Sequence, residues 1–155
     1  MQENNFINSA LKVIQIEGKA ILGLQDQIEE TFNDLCSNIL ATKGKLILMG
    51  IGKSGHIAQK ISATLSSTGT PSFFIHPTEA AHGDLGMIDK KDAILILSNS
   101  GETKEIIEIL PALKRCAGSI FTLTNNADST IAKTGDINIL IKANEEACPL
   151  DLAPT

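Results

Sequence analysis

The sequence predicts a doubly wound three-layer α/β sandwich with a five-stranded parallel sheet, preceded by a long N-terminal helical segment. Three observations carry that expectation. Short apolar runs without in-and-out alternation recur after Gly44, as strands buried on both faces require. Stretches with helical three-and-four spacing separate several of these runs. Clusters of Gly, Ser and Thr sit at the ends of the runs, where such a sheet turns from strand to helix.

Taken in order, residues 6–40 place Ile7, Leu11, Ile14, Ile21, Leu24, Ile28, Phe32, Leu35 and Ile39 at helical spacing with charged residues between them. One long helix, or two broken near Gly18 or Gly23, fits. A helix ahead of the first strand has one face to give the sheet, and apolar residues left over invite another subunit. A homo-oligomer is therefore expected. The strand runs are 46–49, 73–75, 93–97, 120–123 and 137–141; helical stretches lie at 57–65, 104–115 and, shorter, 129–133. Ligands of doubly wound sheets sit beyond the carboxyl ends of the strands, so the loops after strands one, two and three are expected to carry the chemistry.

Bulk properties narrow the class. A chain of 155 residues suits one domain, here 1–155. The net charge of -5, with Lys and Arg concentrated nowhere, argues against a nucleic-acid partner, and the absence of Trp and Tyr removes the usual base-stacking platform. The longest unbroken apolar run, Ala93 to Leu97, is far short of a membrane span, and Met1 to Asn5 form no basic leader. A cytoplasmic protein with no membrane association is expected. Cys36, Cys116 and Cys148 are odd in number and widely spaced, which suggests neither a disulfide framework nor a zinc ribbon.

The first loop reads Gly50-Ile51-Gly52-Lys53-Ser54-Gly55-His56. Three glycines before a helix let backbone amides approach an anion. As a dinucleotide fingerprint the loop lacks the acidic residue at the end of strand two, which ends Phe74-Ile75-His76-Pro77. As a Walker A motif its first glycine would fall at Ile47, inside the strand. What remains is a glycine loop with Lys53 and Ser54, suited to a smaller ligand, or a tight turn with a solvated lysine.

Strand three empties into Ser98-Asn99-Ser100-Gly101-Glu102-Thr103, directly before a helix. Three hydroxyls, a carboxamide and a glycine at a helix N-terminus make an anion cradle. Ordinary capping by Ser100 or Thr103, with Glu105 in the first turn, would also fit, but capping needs one hydroxyl rather than three. With no arginine in the loop, the cradle suits a phosphate monoester held by neutral donors.

These segments, together with His76-Pro77-Thr78-Glu79-Ala80-Ala81-His82-Gly83-Asp84-Leu85-Gly86-Met87 and Glu146 to Thr155, resemble the sugar isomerase (SIS) domain of arabinose-5-phosphate isomerases. The resemblance covers nearly the whole chain from Gly44 onward, and the segment from His76 to Met87 is its most specific part. It implies interconversion of ribulose 5-phosphate and arabinose 5-phosphate for Kdo and lipopolysaccharide biosynthesis by a cytosolic tetramer. It further implies catalytic roles for Lys53, Glu105 and Glu146, and substrate contacts from His82, Gly69 and Thr70. His76 matches a histidine that can bind zinc. Family members continue beyond Thr155 through further helices, another catalytic histidine and, in many cases, tandem CBS domains. Here the SIS domain is expected to be incomplete at its C-terminal end and without CBS domains, so turnover should suffer more than binding.

Aldose-ketose isomerisation passes a proton between C1 and C2 through an enediol, which needs a base over the carbons and a donor at the carbonyl. Glu102, Glu105 and Glu146 are the candidate bases; Lys53, His76 and His82 are the candidate donors. No cofactor is required, and zinc, if bound, is expected to inhibit. Phosphate contacts are expected from Gly52, Ser54 and the run Ser98, Asn99, Ser100, Gly101, Glu102 and Thr103. Each has a plainer reading: Glu105 sits where a helix dipole stabilises any carboxylate, Glu146 pairs with Glu145 as a solvated acidic couple, and loop histidines are usually just exposed. Two further readings stand beside the isomerase: a phosphosugar sensor that binds without catalysis, and an isomerase of a hexulose 6-phosphate.

Overall fold

The computed structural model of the chain describes residues 6–142, 145–148 and 150. Among these residues five strands form one parallel sheet: β1 (Leu46–Met49), β2 (Ser72–Phe74), β3 (Ala93–Ser98), β4 (Ser119–Thr124) and β5 (Ile137–Leu140), in the order β2-β1-β3-β4-β5. The helices are α1 (Phe6–Gly23), α2 (Glu30–Ala41), α3 (Gly52–Ser67), α4 (Pro77–Ala81), α5 (Lys104–Cys116) and α6 (Thr130–Thr134). The expected fold class is the observed one.

The chain divides into two units. The larger, Glu29–Leu140, holds the sheet and α2 to α6. Strand side chains alternate between the two faces, and each face is covered. Ile47 and Met49 of β1 and Ile94 and Ile96 of β3 join Ile106, Ile109, Leu110 and Leu113 of α5 and Ile131 of α6 in one buried cluster. Leu46 and Leu48, with Ala93, Leu95 and Leu97, meet Leu35 of α2 and Ala58 of α3 in the other. Alternation is invisible in the sequence because both faces are apolar. Each fully buried Leu or Ile contributes about 1.5–3 kcal/mol of transfer free energy, so these two layers dominate the stability of the unit.

The amino edge of the sheet is fixed by a buried carboxylate. Asp92 is 2% exposed; its Oδ1 accepts the Lys45 N–H and its Oδ2 the Asp89 N–H, both at 2.8 Å. That clamp holds the entries to β1 and β3 side by side.

The smaller unit comprises residues 6–28 and the described residues from Ile141 onward. Its helix α1 ends at Gly23, one of the two glycines expected to break it, and a 3-10 turn at Leu24–Asp26 follows. None of the α1 side chains is buried; Phe6, Ile7, Leu11, Ile14, Ile21 and Leu22 are exposed. The Gln27 carboxamide pairs with the Lys142 backbone, donating to its carbonyl at 3.1 Å and accepting its N–H at 2.7 Å.

Helices α3 and α5 run to Ser67 and Cys116, past their expected ends, and three further differences stand out. Helix α3 starts at Gly52, five residues ahead of the expected 57, so the glycine loop is itself the first turn of the helix. The segment after β2, expected as a loop, forms α4 and a 3-10 turn at Asp84–Met87. Helix α6 spans Thr130–Thr134 rather than 129–133, because Ser129 stays extended as its N-cap.

Candidate functional site

In a sheet of order 2-1-3-4-5 the chain reverses its winding between β1 and β3, and the crevice beyond their carboxyl ends is where ligands bind. The register pairs Leu46 with Ala93 and Met49 with Ile96, so the loop leaving β1 and the loop leaving β3 emerge beside each other. Both sequence-predicted phosphate loops thus meet at the switch point. The third segment, residues 76–88, leaves β2 on the other side of β1, and its α4 and 3-10 turn pack against α5.

Helix capping separates the ends of these helices into two kinds. Short helices α4 and α6 are capped by side chains: His76 Nδ1 accepts the Thr78 N–H at 3.2 Å, and Ser129 Oγ accepts the Ala132 N–H at 3.3 Å. The longer α3 and α5, which open at the switch point, have no side-chain cap. The N–H groups of Gly52, Lys53 and Ser54 in α3, and of Lys104 and Glu105 in α5, have no acceptor among the described residues. Two helix N-termini with free donors have the geometry and the dipole to receive an anion. The plainer alternative for this loop, a side-chain cap from Ser100 or Thr103, is not what the structure shows. Thr103 holds the N-cap position, but its Oγ1 lies 2.8 Å from Ser98 Oγ instead of capping α5.

Individual residues fall as follows. In the β1 loop, Gly50 and Gly55 touch backbone to backbone, where an added Cβ would come within 2.9 Å and 2.8 Å of main-chain atoms; this lets α3 start directly over the strand end. Gly52 and Lys53 are exposed and Ser54 is half-buried. In the β3 loop, Ser98 is 3% exposed and its Oγ accepts the Gly101 N–H at 3.1 Å, while Ser100 Oγ accepts the Glu102 N–H at 3.1 Å. Asn99, Ser100, Glu102 and Glu105 are exposed, and Gly101 is buried with φ of +66°. Glu102 Oε1 accepts the Thr130 N–H at 2.7 Å, a contact to α6 that no local spacing could show. His82 is exposed at the C-cap of α4.

Two of the expected substrate contacts are not brought to this crevice. Gly69 and Thr70 precede β2 at the amino edge, next to Pro71, whose carbonyl accepts the Leu46 N–H. They stand at the opposite end of the sheet from the loops at 52–54 and 98–103. Glu146 is half-buried and belongs to the smaller unit.

Zinc fits poorly at His76. The Thr78 N–H makes Nδ1 an acceptor and so keeps the ring proton on Nε2; a metal on Nε2 would shift that proton to Nδ1, donor against donor. No cluster of three or more His, Cys, Asp or Glu able to hold a metal occurs among the described residues. No helix of the structure is long and apolar enough to cross a membrane among the described residues.

Comparison with known proteins gives the family. The family model described as SIS domain matches residues 39–155. Arabinose 5-phosphate isomerase KdsD of Pseudomonas aeruginosa is 49% identical over 154 residues, 99% of this chain and 47% of that protein. The Escherichia coli K12 protein of the same name is 44% identical over 151 residues, 97% of this chain and 46% of its own length. The chain therefore spans about half the length of the curated relatives it matches. A solved structure of an Escherichia coli CFT073 protein in complex with arabinose 5-phosphate superposes with a TM-score of 0.94 at 41% identity, covering 100% of this chain and 82% of that one. The chain belongs to the SIS-domain family.

Proposed function

We propose that this chain is the isomerase domain of an arabinose-5-phosphate isomerase, interconverting ribulose 5-phosphate and arabinose 5-phosphate through an enediol. The observation that carries the reading is the pair of uncapped helix N-termini, α3 and α5, at adjacent strand ends of the switch point. Its chemistry suits a phosphate monoester, and the relatives named above act on, or are bound to, this class of sugar.

The phosphate sits against the free N–H groups of 52–54 and 104–105, with the hydroxyls of Ser54 and Ser100 and the Asn99 carboxamide around it. Gly52, Gly101 and Thr103 shape the cradle. The sugar extends toward Lys53, Glu105 and His82. A carboxylate removes the C2 proton of the open-chain aldose while Lys53 donates a proton to the C1 carbonyl oxygen as charge develops there; the enediol collapses as its C2 hydroxyl returns a proton to Lys53 and the carboxylic acid delivers its own proton to C1. Glu105 is the base on this chain's larger unit, and Glu146 serves as the second acid-base group for ring opening. Gly69 and Thr70 contact substrate only if a second copy brings its amino edge to the crevice, which accords with the proposed cytosolic homotetramer and with the exposed apolar residues of α1. The reaction runs on protein groups without a cofactor. The product feeds Kdo and lipopolysaccharide synthesis.

Proton NMR of arabinose 5-phosphate with the chain in D2O tests this directly. Loss of the C2 proton signal with growth of ketose signals, abolished by Glu105→Gln or Glu146→Gln, is the expected result. Phosphorus line broadening without exchange would replace catalysis by the sensor reading, and silence in both would overturn the phosphosugar assignment. Equal exchange with hexose 6-phosphates would move the substrate class.

A further inference from the structure

A carboxylate inside a phosphate cradle is an electrostatic contradiction, since it repels the ligand the loop is built to hold. Glu102 occupies that position, between Ser100 and Thr103. The structure gives its charge another partner: Oε1 accepts the Thr130 N–H at 2.7 Å, the first residue of α6, 28 positions along the chain. Two further bonds run in parallel. The Gly101 carbonyl accepts the Ile131 N–H at 3.1 Å, and the Asn99 carbonyl accepts the Asn125 N–H at 2.9 Å. Ser98 and Ser100 close the loop internally on the Gly101 and Glu102 amides.

We infer that Glu102 is a positioning residue: its carboxylate latches the loop at 98–103 to the start of α6, so that the free donors of α5 are already aimed when phosphosugar arrives. The inference rests on the phosphosugar reading above and assigns Glu102 a role in affinity instead of proton transfer. The latch also makes sense of the charge. At the start of α6 a carboxylate meets a free amide and the positive end of a helix, so its field on the cradle is partly cancelled. Preorganisation of this kind acts on binding, because a loop ordered beforehand loses less entropy on contact with its ligand.

Two substitutions remove the latch from opposite sides. Glu102→Ala deletes the acceptor. Thr130→Pro deletes the donor at the first position of α6, where proline suits a helix, and Ser129 before it has φ of -66° and ψ of 157°, which proline tolerates in its predecessor. Glu102→Gln keeps an acceptor oxygen and is the rescue variant. The measurements are phosphosugar Kd by calorimetry and the KM and kcat of exchange for arabinose 5-phosphate, with far-ultraviolet circular dichroism to verify folding.

Both deletions should raise Kd and KM about tenfold, the scale of one charge-assisted hydrogen bond, with kcat nearly unchanged. The double variant should be no worse than either single one, and Glu102→Gln should stay close to wild type in Kd. Unchanged Kd in folded Glu102→Ala and Thr130→Pro overturns the latch, as does a Glu102→Gln protein that binds normally and has lost turnover, which would make Glu102 the base. A wild-type chain that neither binds nor exchanges arabinose 5-phosphate refutes the phosphosugar reading in its own arm of the experiment and takes this inference with it.

Discussion

Alanine at Gly101 tests how tightly the β3 loop is seated. The residue is buried with φ of +66°, a left-handed backbone that costs an L-residue about 1–2 kcal/mol. The new methyl would overlap Ser129 Oγ and Cβ and come within 3.5 Å of Thr124 Cγ2. Ser129 is not free to move aside. Its Oγ donates to the Asn126 carbonyl at 2.7 Å and accepts the Ala132 N–H as the cap of α6. Either the cap is lost, at about 1 kcal/mol, or the loop is compressed, at about 1–3 kcal/mol. The sum is a destabilisation of about 2–5 kcal/mol. Urea unfolding followed by circular dichroism measures it, because a chain without Trp or Tyr has no strong intrinsic fluorescence. Ser129→Gly in the same chain clears the space and should return the steric part, leaving the left-handed strain. A Gly101→Ala loss below about 1 kcal/mol, or strict additivity in the double mutant, would refute the close seating of the loop on α6.

Other expectations are simpler to state. Asp92→Ala should cost about 2–4 kcal/mol in the same unfolding assay, since it strands two backbone donors at the amino edge, and should leave phosphosugar Kd unchanged at the other end of the sheet. His76→Ala should lose about 1 kcal/mol of cap stability in that assay while His76→Asn retains it. Lys53→Ala should reduce exchange by about a hundredfold or more with the fold intact by circular dichroism.

Much of this was legible in the sequence. The runs at 46–49 and 93–97 could be read as strands because a strand buried on both faces has no polar position to confuse the pattern, and β1 matches its expected bounds. The start of α3 was not legible. Gly52-Lys53-Ser54-Gly55 has poor helix propensity, and the close packing of Gly55 on Gly50 that accompanies the helix start spans residues no periodicity marks. Histidine is an unusual cap, so His76 hid α4. The site itself divides the same way: clustered hydroxyls and glycines announce an anion cradle locally, whereas the Glu102 contact to Thr130 spans two loops and depends on β3 and β4 being neighbours. Gly69 and Thr70 are not adjacent to the crevice within this chain, because strand direction sends them to the amino edge.

The two uncapped helix N-termini at the switch point have a thermodynamic consequence. A side-chain cap is worth about 1 kcal/mol, so α3 and α5 together leave about 2 kcal/mol of attainable folding stability unrealised. A ligand at a hundredfold over its Kd adds about 2.7 kcal/mol to the folded state, which is the same size. A phosphosugar at this crevice would thus act as the missing cap of two helices at once. Melting temperature would then rise with sugar-phosphate concentration, and the lifetime of the folded chain would be a reporter of how much substrate surrounds it.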